Sequence, residues 1–91
     1  MLTVAAGTPF EVALGSAPST GYMWQLQSLP TGVQLLGSDF SQPPDAAIGD
    51  GGTQIFHLKT ERAGRFELLF ELKRRWETTP IQTRQIDVDS R

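Results

Sequence analysis

The large apolar residues of this chain tend to recur at every second position. In Phe10-Glu11-Val12-Ala13-Leu14 they alternate with small or charged ones. Tyr22, Trp24 and Leu26 share one row, with Gln25 and Gln27 on the other. Phe66, Leu68, Phe70 and Leu72 are the clearest case, opposed by Glu67, Glu71 and Lys73 with Leu69 as the exception, and Ile86 and Val88 alternate with Gln85, Asp87 and Asp89. A period of two sends one row to a buried face and the other to water. No window carries the i, i+3, i+4, i+7 spacing of an amphipathic helix. Turn-forming clusters such as Gly15-Ser16-Ala17-Pro18, Pro30-Thr31-Gly32, Ala63-Gly64 and Thr78-Thr79-Pro80 punctuate these runs. The pattern predicts seven or eight short strands, at about 2–6, 9–15, 22–28, 33–36, 38–41, 53–61, 65–75 and 83–90. Strands this short and this closely spaced predict an all-β sandwich or barrel. Ser41 to Ile48, with its Pro43-Pro44 pair, is expected to be an irregular surface segment, because proline cannot donate to a central ladder.

Length and composition narrow the function. The 91 residues allow one domain, 1–91. With 38% hydrophobic and 20% charged residues in a mixed pattern, the chain has the make-up of a globular protein. A net charge of −2 provides no excess of positive charge to hold a nucleic-acid backbone or an anionic membrane. With no cysteine, disulfides, thiol catalysis and cysteine-based zinc sites are excluded. His57 is the only histidine, so no histidine cluster can hold a metal, and neither a metal nor a cofactor is expected. The longest apolar runs fall far short of the ~20 residues that span a bilayer. The start, Met1-Leu2-Thr3-Val4-Ala5-Ala6-Gly7, does not read as a complete signal peptide.

Candidate catalytic groups are sparse. Ser19 as a nucleophile would need a base and an orienting group. The only histidine lies within a predicted strand, between Phe56 and Leu58, and reads as an outward-facing strand residue. Gly49-Asp50-Gly51-Gly52-Thr53 is followed by a strand, not by the helix that a phosphate cradle requires. It reads either as a hairpin turn or as a recognition loop whose glycines let a partner approach the backbone. Glu67 and Glu71 read as a solvated strand face, and Asp87 with Asp89 lack further ligands for a cation. At Lys73-Arg74-Arg75-Trp76 the inward row, if continued, would bury Arg74 beside Trp76. An unpaired buried arginine is costly, so the strand should end there and a loop begin. The pattern leaves Trp76 as either core or an exposed anchor, since Trp and Arg are the types that dominate binding hot spots.

Three motifs then occur in order: Ala17-Pro18-Ser19-Thr20-Gly21-Tyr22-Met23-Trp24, Gly49-Asp50-Gly51-Gly52, and Arg74-Arg75-Trp76. Together they resemble the chagasin family of cysteine-protease inhibitors, whose pattern is Asn-Pro-Thr-Thr-Gly-Tyr/Phe closely followed by Trp, then Gly-x-Gly-Gly, then Arg-Pro-Trp/Tyr. The resemblance runs from about Leu2 to Val88. It implies an immunoglobulin-like β-sandwich. It also implies a reversible, active-site-directed inhibitor of papain-family cysteine proteases, not an enzyme, that blocks the cleft with loops 17–22, 49–53 and 74–77. By the same resemblance Pro18, Ser19, Thr20 and Gly21 sit over the catalytic cysteine, and Tyr22 is one of the protease-binding residues. Gly49, Asp50, Gly51 and Gly52 line the non-primed side, and Arg74, Arg75 and Trp76 lie on the primed side with Trp76 exposed. The expected partner is a papain-like protease bound by a monomer. Bacterial members are often exported, which implies a periplasmic or secreted location wherever an export signal has been removed. Three departures are visible. Ala17 stands for Asn and Ser19 for Thr, and Arg75 in place of Pro frees a φ angle, a loss of roughly 0.4–1 kcal/mol of preorganisation. The competing reading is an immunoglobulin-like adhesion or assembly module without inhibitory activity, binding through a sheet face or edge, with sheet-face residues such as Glu67, Glu71 and Lys73.

Overall fold

A computed structural model describes residues 2–16, 21–41 and 51–91 of the chain. Seven strands form: β1 (Leu2–Val4), β2 (Phe10–Ser16), β3 (Tyr22–Ser28), β4 (Val33–Ser41), β5 (Gly52–Thr60), β6 (Gly64–Arg74) and β7 (Gln82–Ser90). The described residues contain no helix. The strands build a four-stranded sheet, β1-β7-β6-β3, and a three-stranded sheet, β2-β5-β4. All pairs are antiparallel except β1 with β7, which is parallel. The two sheets face one another as an immunoglobulin-like sandwich.

The period-two rows decide which faces meet. Phe66, Leu68 and Phe70 of β6 are buried, as are Phe56 and Leu58 of β5, Val12 and Leu14 of β2, Trp24, Val33 and Val88. Phe56 and Phe70 cross the interface with ring centroids 4.9 Å apart and planes tilted by 55°, a favoured aromatic arrangement. Leu2, Val4, Phe10, Leu26, Leu72 and Ile86 pack around this core. Burial of each large side chain contributes about 1.5–3 kcal/mol.

One expectation is corrected. The segments 33–36 and 38–41 are not two strands but one, β4, with a register shift between Leu35 and Gly37. Leu35 opposes Leu58 and Gly37 opposes His57, so Leu36 is the extra residue of a bulge. The bulge absorbs the Leu35-Leu36-Gly37 break, and Leu36 is left half-exposed. A second shift falls between Leu26 and Ser28 of β3.

The two ends of the sandwich differ. At one end the segment after β1 closes over the neighbouring strands. Ala6 N–H donates to Arg91 O at 2.9 Å, Gly7 N–H to Thr60 O at 2.8 Å, and Arg91 N–H to Val4 O at 3.0 Å. The buried hydroxyls of Thr60 and Ser90 pair there at 2.7 Å. The other end is where β2, β4 and β6 finish and β3, β5 and β7 begin. Register fixes this: Ser16 opposes Gly52, Ser41 opposes Thr53, Tyr22 opposes Arg74, and Leu72 opposes Gln82. The three connections between those strands therefore leave from one end.

Candidate functional site

The loop end brings together several residues singled out in the sequence. Gly21 adopts φ +85°, in the left-handed region that only glycine enters at low cost. A Cβ placed there would lie 3.5 Å from Trp76 Cη2 and 3.6 Å from Arg74 Cγ. The space is sufficient, so the conformation is what requires glycine. Tyr22 follows at the first position of β3, opposite Arg74.

Arg74 is the centre of a small stack. Its guanidinium carbon lies 4.3 Å from the centroid of the Tyr22 ring and 6.0 Å from that of Trp76. Both distances are within cation–π range. Arg74 Nη1 also lies 3.8 Å from Glu77 Oε1, while Glu77 N–H donates to Arg74 O at 3.0 Å and closes the turn. Glu77 Oε1 is buried without a hydrogen bond, so this ion pair is the contact that compensates it. The strand ends at Arg74, as the burial argument requires, and Trp76 stands 73% exposed at the turn. Of the two readings open for Trp76, the structure selects the exposed one. Arg75 is exposed beside it.

On the three-stranded sheet, Gly51 is exposed and Gly52 opens β5. A Cβ on Gly52 would sit 2.5 Å from Ser41 O and 2.6 Å from the Phe40 ring. Gly52 is therefore demanded by the close approach of β4, whatever else it touches. Pro18, Ser19, Thr20, Gly49 and Asp50 lie outside the described residues.

Two buried side chains join the sheets at this end. Gln54, 6% exposed, accepts from Trp24 N–H at 2.9 Å through Oε1 and donates through Nε2 to Trp24 O at 2.7 Å. Trp24 Nε1–H donates to Gly15 O at 2.8 Å. Trp24 was legible as core. Gln54 was not singled out, although a polar residue in the inward row with Phe56 and Leu58 is itself a signal of a buried partner.

Elsewhere the chemistry is structural. His57 lies on the outer face of its sheet, with Nε2 2.7 Å from Asp39 Oδ2 and Nδ1 3.5 Å from Glu11 Oε1. It ties β2, β5 and β4 together. Glu71 is less solvated than expected: it pairs with Lys73 at 3.9 Å and its side chain is 15% exposed. No group of three or more potential metal ligands occurs among the described residues.

Residues 3–89 match the model of the chagasin family peptidase inhibitor I42. The chain belongs to the chagasin family of peptidase inhibitors. That family is one of inhibitors, and the protein is not an enzyme. Chagasin from Trypanosoma cruzi is 32% identical over 80 residues, which cover 82% of this chain and 73% of chagasin. The crystal structure of the cysteine protease inhibitor EhICP2 from Entamoeba histolytica superposes with a TM-score of 0.80 at 21% identity, over 99% of this chain and 85% of that one. The solution structure of amebosin superposes with a TM-score of 0.75 at 22% identity, over 99% of this chain and 87% of amebosin. These two likenesses concern the fold. As a member of an inhibitor family, the chain needs no reactive constellation.

Proposed function

We propose that this chain is a reversible, active-site-directed inhibitor of papain-family cysteine proteases, acting as a monomer through loops 17–22, 49–53 and 74–77. Membership of the chagasin family supports the activity, and chagasin itself is the relative at 32% identity. One structural observation carries the choice of surface. Strand register sends three connections out of the same end, and an exposed Trp76 stands there against Gly21 and a braced Arg74. A protease cleft reads extended backbone, so an inserted peptide risks being cut. Loops held by a sandwich fill the cleft without offering a correctly oriented carbonyl, and rigid loops lose less entropy on binding. None of the relatives found favours the alternative, a non-inhibitory adhesion module.

The test is a titration of papain with the purified protein against a small fluorogenic substrate. Competitive inhibition in the nanomolar to low micromolar range, with the protein recovered uncut, is the expected result. Full papain activity at about 100 μM of demonstrably folded protein, a concentration at which even weak binding of about −5.5 kcal/mol would register, overturns the proposal.

A further inference from the structure

We infer that Gln54 is a positioning residue of the inhibitory end, setting the spacing between the loop roots at Gly52 and Tyr22. The inference rests on the inhibitory reading above for its consequence, but on hydrogen-bond geometry for its cause. β3 is the last strand of its sheet, so Trp24 N–H and C=O, directed away from β6, have no neighbouring strand. Trp24 is buried, and groups of this kind need partners when water is excluded. The Gln54 amide supplies both: its oxygen takes the N–H and its NH₂ gives to the carbonyl. Only one orientation of the amide satisfies both bonds, so the side chain stands where a strand would. Its own burial leaves it no solvent alternative.

The position of this bridge gives it its role. Gln54 is two residues from Gly52, and Trp24 is two residues from Tyr22. At about 3.3 Å per residue, the bridge lies within roughly 7–10 Å of both loop roots. Trp24 Nε1–H on Gly15 O extends it to the strand that enters the 17–20 connection. The Tyr22–Arg74–Trp76 stack ties β3 to β6 within one sheet. Gln54 ties one sheet to the other. A cleft-filling surface assembled from both sheets depends on that spacing, since small misplacements of a preorganised group are felt strongly.

Two substitutions test it. Gln54→Met keeps length and most of the volume but removes both bonds. Gln54→Glu keeps the acceptor for Trp24 N–H. When ionised, it sets a carboxylate oxygen against Trp24 O. When protonated, its O–H donates to that carbonyl and both bonds return. Inhibition constants for papain are measured per folded molecule and compared with wild type at about pH 4.5 and about pH 7.5, the lower value favouring a neutral buried carboxyl. Gln54→Met should weaken inhibition by about tenfold or more at both pH values. Gln54→Glu should be weak at the higher pH and recover toward wild type at the lower. A folded Gln54→Met protein with wild-type inhibition overturns the inference, as does a Gln54→Glu protein with no acid recovery.

Amide exchange of the free protein gives a second readout that needs no protease. In Gln54→Met, the amides of Tyr22, Trp24, Gly52 and Thr53 should exchange about tenfold faster, with Leu58 and Val88 little changed. Uniform acceleration at all six overturns the inference. Failure of the wild-type protein to inhibit papain would instead remove the inhibitory reading, while the exchange pattern would still decide the spacing role of Gln54. If Gln54→Met does not fold, Gln54→Glu carries both readouts between the two pH values. A flat response in both then overturns the inference.

Discussion

Trp76 combines exposure with restraint. Its ring is 73% exposed, yet its Cη2 lies 3.5 Å from where a Gly21 Cβ would sit and its ring stands 6.0 Å from the Arg74 guanidinium. An aromatic held in this way delivers large buried area to a partner at small entropic loss. Trp76→Ala should raise the inhibition constant for papain by at least about tenfold, more than ~1.4 kcal/mol. Thermal stability should change by less than about 4 °C, as for a surface substitution in a domain of this size. Loss of the fold with unchanged inhibition per folded molecule would show the reverse. Gly52 argues differently. Its missing Cβ would overlap Ser41 O and the Phe40 ring, both under 3 Å. Gly52→Ala should therefore destabilise the protein by about 1–3 kcal/mol, the range for overpacking, measured by urea unfolding. A stability equal to wild type would mean that β4 yields easily there. For single residues, legibility followed the period. The row Phe66, Leu68, Phe70 reads as buried and is buried. Trp76 lies two residues past the strand, where the period has no authority, and only tertiary contact could decide it.

Elements were legible wherever alternation ran unbroken, and least so at breaks. The Leu35-Leu36-Gly37 break reads as a gap between two strands, but a one-residue bulge inside β4 absorbs it. Periodicity also cannot say which strands share a sheet. That is settled by buried polar pairing as much as by apolar rows, and the role of Gln54 exists only once β3 lies at a sheet edge. The β6–β7 hairpin illustrates the same dependence. Its turn is held by the Arg74 guanidinium over Tyr22 and by the pair with Glu77. The two side chains are 38% and 33% exposed, so solvent screening discounts the ion pair. Arg74→Met keeps a long apolar stem but removes the cation. Stability should fall by about 0.5–1 kcal/mol, chiefly the cation–π contact, as read by urea unfolding. Inhibition should weaken as the Trp76 turn loosens, with a shifted tryptophan emission in the free protein. Raised salt should reproduce little of this loss. If high salt alone has the full effect of the substitution, the ion pair with Glu77 dominates and the stacking argument is wrong.

For the whole molecule, the physical division is between an end that holds the sandwich shut and an end that presents loops. The closed end depends on the backbone bonds of Ala6, Gly7 and Arg91 and on the buried hydroxyl pair of Thr60 and Ser90, 2.7 Å apart. A small domain has little stability to spare, about 5–15 kcal/mol in total. Damage at either end should therefore lower stability, but only damage at the loop end should change the shape offered to a protease. Thr60→Val separates the two. It keeps the shape of the side chain and leaves the Ser90 hydroxyl buried at 3% exposure without its partner. The expected loss is about 1–3 kcal/mol, or about 4–8 °C in melting temperature for each kcal/mol. Inhibition of papain per folded molecule should remain within about twofold of wild type, because the β2–β5 and β3–β6 roots of the loops are untouched. If inhibition instead falls in step with stability, the sandwich does not insulate its ends, and rigidity of the loop end is a property of the entire fold. If it stays constant while Gln54→Met and Trp76→Ala lose inhibition, the inhibitory shape is set locally, by the bridge between the sheets and the braced turn.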